Sequence, residues 1–263
     1  MDSKPVVLVT GAAQRIGREI ALDLAAHGWR VAVHYRSSAV AAAQTVAAVR
    51  EAGGQAMAFA ADLSVEAECE ALVPAVAEGF GRIDAVVNNA SLFEYDDVAS
   101  FSAAAMDRAW RANTAPAILL ARALHARIGE TPADTAGRHA VINLLDQKLW
   151  NLNPDYFSYS LSKAALEAAT TMLAQALAPK LRVCGVAPGV TLLSGEMSGS
   201  EFNASHRMTP LQRSSTPQDV ARAVRFLLDS PAITGTTLLV DGGQHLQPQP
   251  RDVMFLARKP KEN

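Results

Sequence analysis

Tyr159 and Lys163 stand four residues apart in Pro154-Asp-Tyr-Phe-Ser-Tyr159-Ser-Leu-Ser-Lys163, at the start of an alanine-rich, strongly helical run. Four residues is about one helical turn, so both heads reach the same pocket. An ammonium held beside a phenol favours the phenolate and lowers the phenol's pKa from its ordinary value of about 10, giving a general acid/base usable near neutral pH. That is proton-transfer chemistry, and it needs a partner for the hydride. Val7-Leu-Val-Thr-Gly11-Ala-Ala-Gln-Arg15-Ile16-Gly17 supplies one, because an apolar strand runs into a glycine turn and then a helix. Free N–H groups and the positive end of the helix dipole then face a phosphate, which makes this the place where a dinucleotide binds. Arg15 occupies the position where most such turns place a middle glycine. Its guanidinium either leans over a pyrophosphate or bound ring or is a solvated first-turn arginine.

At the end of the second strand, about 20 residues on, an NAD enzyme usually carries an acidic residue for the ribose hydroxyls. Here the chain reads His34-Tyr35-Arg36-Ser37, side chains that suit a ribose phosphate, so the expected cofactor is NADPH rather than NADH.

These residues need elements to position them. Short β-branched runs at 6–10, 31–34, 56–60, 85–88, 140–144, 183–186 and 237–240 predict seven strands. Between them, 15–27, 38–52, 65–79, 104–128, 157–178 and 217–228 read as helices by length, alanine content and apolar spacing. Alternation of strand and helix means a parallel sheet covered on both faces, an α/β, doubly wound, Rossmann-type single domain. Gly28, Gly53-Gly54 and Gly81 fall between a helix and the next strand, and Pro217 opens a helix after Ser215-Thr216. Residues 188–216 are too many for an ordinary connection and predict a substrate loop or lid, and 247–263 form a polar tail with an apolar patch at 253–256.

With 263 residues, 24 basic against 26 acidic, the chain is long enough for one large domain and has no electrostatic footprint for nucleic acid or an anionic membrane. Cys69 and Cys184 are far apart and belong to no Cys/His cluster, so neither a disulfide framework nor a metal site is expected. No apolar run approaches the length of a signal-peptide core or a membrane span, and a cytoplasmic protein is the default expectation.

With Thr10-Gly11, Asn88-Asn89-Ala90, Asn113, Tyr159-x-x-x-Lys163, Pro188-Gly189 and Asp241-Gly242-Gly243 in this order, the chain resembles the short-chain dehydrogenase/reductase family over nearly its whole length. The resemblance implies that Gly11, Ile16, Gly17, Asp62, Leu63, Asn89, Ala90, Pro188, Gly189 and Val190 hold the cofactor, with Asp62 at the adenine. Lys163 would bind the nicotinamide ribose while tuning Tyr159, and Asn113 would hold a water relaying protons towards Lys163. Asp62 as a helix cap and Asn113 as a helix kink are the alternative readings.

One departure from the family pattern stands out. The serine commonly found 13 residues before the tyrosine is Asp146 here. A carboxyl group beside a phenol suits a more basic acceptor than an alcohol oxygen, and a ring nitrogen fits that description. With Asn88-Asn-Ala-Ser91-Leu-Phe93, the chain looks like the pteridine reductase branch of the family. That branch implies a pterin stacked by Phe93 against the nicotinamide, Ser91 on the pterin or a cofactor phosphate, and Arg15 reaching both. Phe93 as a core aromatic is the other reading. Tyr159 and Asp146 would share the proton work at C7=N8, whereas reduction at C6 would draw on ordered water. Trp150, Tyr156 and the segment from Leu192 to Met208 either border the substrate or pack.

The alternatives are a 3-oxoacyl or small-ketone reductase and an NADPH-sensing protein without turnover. Alanine-rich helices with apolar surface to spare suggest subunit contacts, and the family resemblance implies a tetramer or a dimer, with a homotetramer the expectation. The tail either crosses to a neighbouring subunit or covers its own core.

Overall fold

Val6–Val9, strand β1, is a run of four fully buried residues whose side chains alternate between two cores. Val7 and Val9 pack on one face, Val6 and Leu8 on the other. A strand apolar on both sides must lie inside a sheet covered twice. The computed structural model describes residues 4–129, 137–193 and 197–257. In it β1 is the third strand, an interior one, of a seven-stranded parallel sheet. The others are β2 (Arg30–Tyr35), β3 (Gln55–Ala60), β4 (Ala85–Asn88), β5 (His139–Leu144), β6 (Leu181–Pro188) and β7 (Thr237–Val240), in the order β3-β2-β1-β4-β5-β6-β7. The expected sheet is present, strand for strand.

Helices α1 (Arg15–Ala26) and α2 (Ala39–Glu51) cover one face; α3 (Glu66–Phe80) begins the layer on the other. Strand order reverses between β1 and β4, and the crevice left there at the carboxyl ends of the strands is where ligands bind in open α/β sheets. Thr10 holds that crevice in shape. Its hydroxyl donates to the Val87 carbonyl at 3.3 Å and accepts from the N–H groups of Asn89 and Ala90, both at 2.9 Å.

The single helix expected over 104–128 is two: α4 (Ala103–Asn113) and α5 (Ala115–Arg127). Pro116, in the first turn of α5, has no N–H for a continuing ladder, and the side chains at the break bond elsewhere. Thr114 Oγ1 donates to the Ser162 carbonyl at 2.8 Å, on α6 (Phe157–Leu177). Alanine content and spacing run smoothly through the break, so periodicity alone does not reveal it. Helix α6 joins α3 and α5 on their face of the sheet, and α4 packs against α6.

Within the expected 188–216 loop lies a helix, α7 (Gly199–Arg207), with a Ser198/Glu201 capping box, while positions 194–196 fall outside the described residues. Pro217 opens α8 (Pro217–Leu228) behind a Thr216/Asp219 capping box and completes the first face. The tail forms a short helix, α9 (Val253–Ala257), packed on α7; its last expected positions, 258–263, are also outside the described residues. Both cysteines are buried thiols, and burial pushes Cys69 up to about 12. Among the described residues no helix is long and apolar enough to cross a membrane.

Candidate active site

The β1–α1 turn is assembled by backbone groups that tolerate no side chain. A Cβ at Gly17 would collide with the Gly11 carbonyl oxygen and with Asn89 Nδ2. Asn89 Nδ2 donates to the carbonyls of Thr10 and Gly11 at 2.9 and 3.3 Å, tying β4 to the turn. Arg15 takes the left-handed conformation, φ 56°, at the position that usually carries glycine. Its Nη2 donates to the Leu193 carbonyl at 2.9 Å, so the guanidinium ties the glycine turn to the segment after β6. The N-cap Gln14 makes no side-chain bond to α1, and no acidic residue sits in the first turn. Unlike the capped α7 and α8, this helix starts at the cleft with no side chain on its first N–H groups.

His34 has a different role from the one its neighbours suggest. The Gly11 N–H donates to His34 Nδ1 at 3.0 Å, so Nδ1 carries no hydrogen and Nε2, 3.0 Å from the Ala61 carbonyl, is the donor. Burial holds the imidazole below its ordinary pKa, consistent with this neutral tautomer. It braces the glycine turn, with both nitrogens committed inside the fold. Arg36 and Ser37 are exposed at the end of β2 and free to meet a phosphate. Asp62 Oδ1 accepts from the backbone N–H and hydroxyl of Ser64, at 2.9 and 2.7 Å, which shapes the turn after β3.

Every residue expected to hold the cofactor lines one cleft of about 560 Å³. At its inner end, α6 brings Tyr159 and Lys163 together one turn apart, and Tyr156, φ 56°, turns the chain into that helix. The Tyr159 hydroxyl donates to Asp146 Oδ2 at 2.9 Å, and Asp146 Oδ1 accepts from the Lys148 N–H at 2.9 Å. Lys163 Nζ donates to the Leu144 carbonyl at 2.7 Å and lies 5.9 Å from the centroid of the Tyr159 ring.

The phenol is therefore not tuned as its spacing from Lys163 suggests. Burial first, then the facing carboxylate, hold Tyr159 well above its usual range. Burial likewise raises Asp146, against the hydrogen bonds that favour its anion. Lys163 is lowered by burial to about 8, with Asp146 opposing. A carboxylate facing the phenol outweighs an ammonium that bonds to a carbonyl instead, and the result is a pair that retains its proton.

Phe93 lies between the two alternatives for it. It lines the cleft, half exposed, stacked on Tyr156 at 4.1 Å and 17° and edge-on to Tyr159 at 4.7 Å and 89°. Ser91 and Leu192 line the cleft as well, whereas Trp150 does not. Asn113 is not in the lining either. Its Oδ1 accepts from the Leu92 N–H at 2.7 Å and from Ser91 Oγ at 3.2 Å. Its Nδ2 donates to the Leu92 carbonyl at 3.0 Å and Ser162 Oγ at 2.9 Å. That side chain anchors the loop carrying Ser91 to Phe93.

Sequence reasoning missed Lys148 and the tail residues Asp252, Val253 and Met254, all of which line the cleft. Nothing local marks a lysine for burial, and 104 positions separate it from its partner Asp252. The only signal was the apolar patch at 253–256 in an otherwise polar tail. Of the two readings of that tail, the described part folds over the cleft of its own chain.

A family model described as enoyl-(acyl carrier protein) reductase matches residues 11–245. Pteridine reductase 1 of Leishmania tarentolae is 36% identical over 281 residues, covering 92% of this chain and 96% of that one. The 3-oxoacyl-[acyl-carrier-protein] reductase of Synechocystis is 34% identical over 248 residues, covering 90% and 96%. The crystal structure of FolM alternative dihydrofolate reductase 1 from Brucella canis, complexed with NADP, superposes with a TM-score of 0.87 at 39% identity, covering 96% of this chain and 98% of that one.

Proposed function

The chain belongs to the short-chain dehydrogenase/reductase family, and from that premise we propose that it is an NADPH-dependent pteridine reductase, converting a dihydropterin or dihydrofolate-like substrate to its tetrahydro form. The observation that carries this reading is the Tyr159–Asp146 hydrogen bond at the inner end of the cleft, where the family commonly has a tyrosine and a serine. A serine hydroxyl hydrogen-bonds an acceptor atom but holds its proton too tightly to give it up near neutral pH. A buried carboxyl group with a raised pKa can also supply a proton, as reduction of a C=N bond requires.

The cleft fits NADPH. The uncapped N-terminus of α1 would hold the pyrophosphate, exposed Arg36 and Ser37 would take the 2′-phosphate, and Asp62 and Leu63 would border the adenine. The NADP of the Brucella relative supports the choice of cofactor. When bound, NADPH supplies the hydride. The protein's own residues do the rest. Phe93 flanks the flat ring, and Ser91 and Arg15 hold its edge. In reduction at C7=N8, Tyr159 gives its hydroxyl proton to the ring nitrogen, and Asp146, whose carboxylate accepts that hydroxyl's hydrogen bond, passes a proton taken from solvent back to the phenolate. A dihydropterin reduced at C6 draws its proton from ordered water. Lys163 binds the nicotinamide ribose. Asn113 acts through its neighbours, fixing the loop that positions Ser91 and Phe93.

Exposed apolar side chains on α4 and α6, Trp110, Leu161 and Met172 among them, support assembly through these helices, and we assign a homotetramer.

NADPH oxidation tests the reading, with oxidised pterins, 7,8-dihydropterins and dihydrofolate run beside an acetoacetyl thioester. Turnover confined to pterins is expected, and turnover of the thioester alone would make the protein a ketone reductase like its Synechocystis relative. Tyr159→Phe should slow reduction of oxidised pterins at C7=N8 by about 10²-fold or more. The same change should leave NADPH affinity intact and slow dihydropterin reduction less.

A further inference from the structure

A buried lysine needs a reason, and Lys148 has one that lies 104 positions away. Its side chain is 5% exposed, and its Nζ sits 3.1 Å from Asp252 Oδ2 and 5.2 Å from the centroid of the Tyr156 ring. Its backbone N–H is the group that bonds Asp146 Oδ1. Asp252 is itself held on the side of α6. Its backbone N–H donates to Asp155 Oδ2 at 2.7 Å, and Arg251 grips the same buried carboxylate with Nε and Nη2 at 2.7–3.0 Å. Met254, two residues on, accepts from the Tyr156 hydroxyl at 3.9 Å. The segment 251–254 thus joins the turn that carries Asp146 to the residues that open the helix carrying Tyr159.

We infer that Lys148 and Asp252 are positioning residues whose opposed charges set the proton affinity of the Asp146–Tyr159 pair, so that the proton-donating group is completed only when the C-terminal segment is docked. A buried ion pair is weak grounds for stability, since removing two charges from water offsets most of their attraction. Each of its charges nonetheless bears separately on a neighbouring titratable group. Four groups bear on Asp146: Tyr159 and Lys163 from α6, Lys148 from its own turn, and Asp252 from the tail. The Lys148 cation favours the Asp146 anion, and the Asp252 carboxylate disfavours the anions of both Asp146 and Tyr159. The two partners therefore act in opposite directions on one proton.

This inference rests on the proposed proton-donating role of Asp146 and Tyr159, but not on the identity of the substrate. The experiment is the pH profile of kcat/KM for Lys148→Met, Asp252→Asn and the double variant, on whichever substrate the wild type reduces. Melting curves and NADPH affinity verify that each variant is folded. Asp252→Asn should shift the limb governed by the pair down by roughly half a pH unit or more, and Lys148→Met should shift it up by a similar amount. The double variant should return close to wild type, because no unpaired charge remains. Lys148→Arg should keep the wild-type profile. If Lys148→Met does not fold, the contrast between Asp252→Asn and the double variant carries the same sign test. Lowered activity with an unmoved profile, or shifts of the same sign in both single variants, would overturn the inference and leave a purely structural pair. The Asp146 carboxyl resonance in ¹³C-labelled protein, identified by its loss in Asp146→Asn, reads the same shifts without turnover. A failed pterin assay is thereby separable from a failed charge pair.

Discussion

Tyr159 and Asp146 share a hydrogen bond in a buried site, so their proton belongs to the pair rather than to either residue. Lys163 is the separable titration. Its ammonium is lowered to about 8 by burial with Asp146 facing it, and in the role proposed for it that ammonium holds the nicotinamide ribose. The kcat/KM profile of the free enzyme should therefore fall above about pH 8, and a profile flat to pH 10 would remove Lys163 from this role. Stability moves the other way. Between about pH 8 and 10.5 the unfolded chain still holds a proton that the native state has released, so the fold gains stability with rising pH across that window. Below it both states are protonated, and the native state bears the full cost of a buried ammonium. At this scale residue types were legible in the sequence and their environments were not. The Tyr159–Lys163 spacing pointed to a depressed phenol, whereas burial, and then the carboxylate facing it, raise it. His34 read as a phosphate ligand because its neighbours Arg36 and Ser37 are suited to one, yet its ring is fixed between Gly11 and Ala61.

The elements divide into those that build the sheet and those that finish the cleft. Strands and covering helices announce themselves through apolar runs and spacing, because each buries a continuous face in one of two cores. The finishing elements are short. The turn Gln147–Trp150 and helix α9 act through single long-range contacts, such as Lys148 to Asp252 and Tyr156 to Met254. Deleting residues after Pro250 should therefore abolish most turnover while the sheet remains folded, with near-native circular dichroism and a cooperative melt. Retained turnover would show that the tail has no part in the site. The break between α4 and α5 belongs here too. It frees Asn113 and Thr114 to bond α6 and the Ser91–Leu92 loop, and an alanine-rich pattern gives no sign of it.

The whole molecule places a cleft of about 560 Å³ at the one point where strand order reverses, and leaves Trp110, Leu161 and Met172 exposed on α4 and α6. If those side chains are a subunit contact, sedimentation should give a mass of four chains, and Trp110→Glu with Met172→Glu should lower it. A monomeric wild type would refute the assembly. The sequence by itself determined the seven-stranded parallel sheet and the position of the glycine turn, because periodicity and glycine geometry are local properties that a chain cannot conceal, while the family resemblance singled out residues that line the cleft. Only the tertiary structure decided which way the Tyr159 proton is held, what His34 braces, and that Asp252 completes the site beside Lys148. Those outcomes depend on burial and on charges brought together across 13, 23 and 104 positions, and no local pattern encodes the solvent a folded chain will exclude.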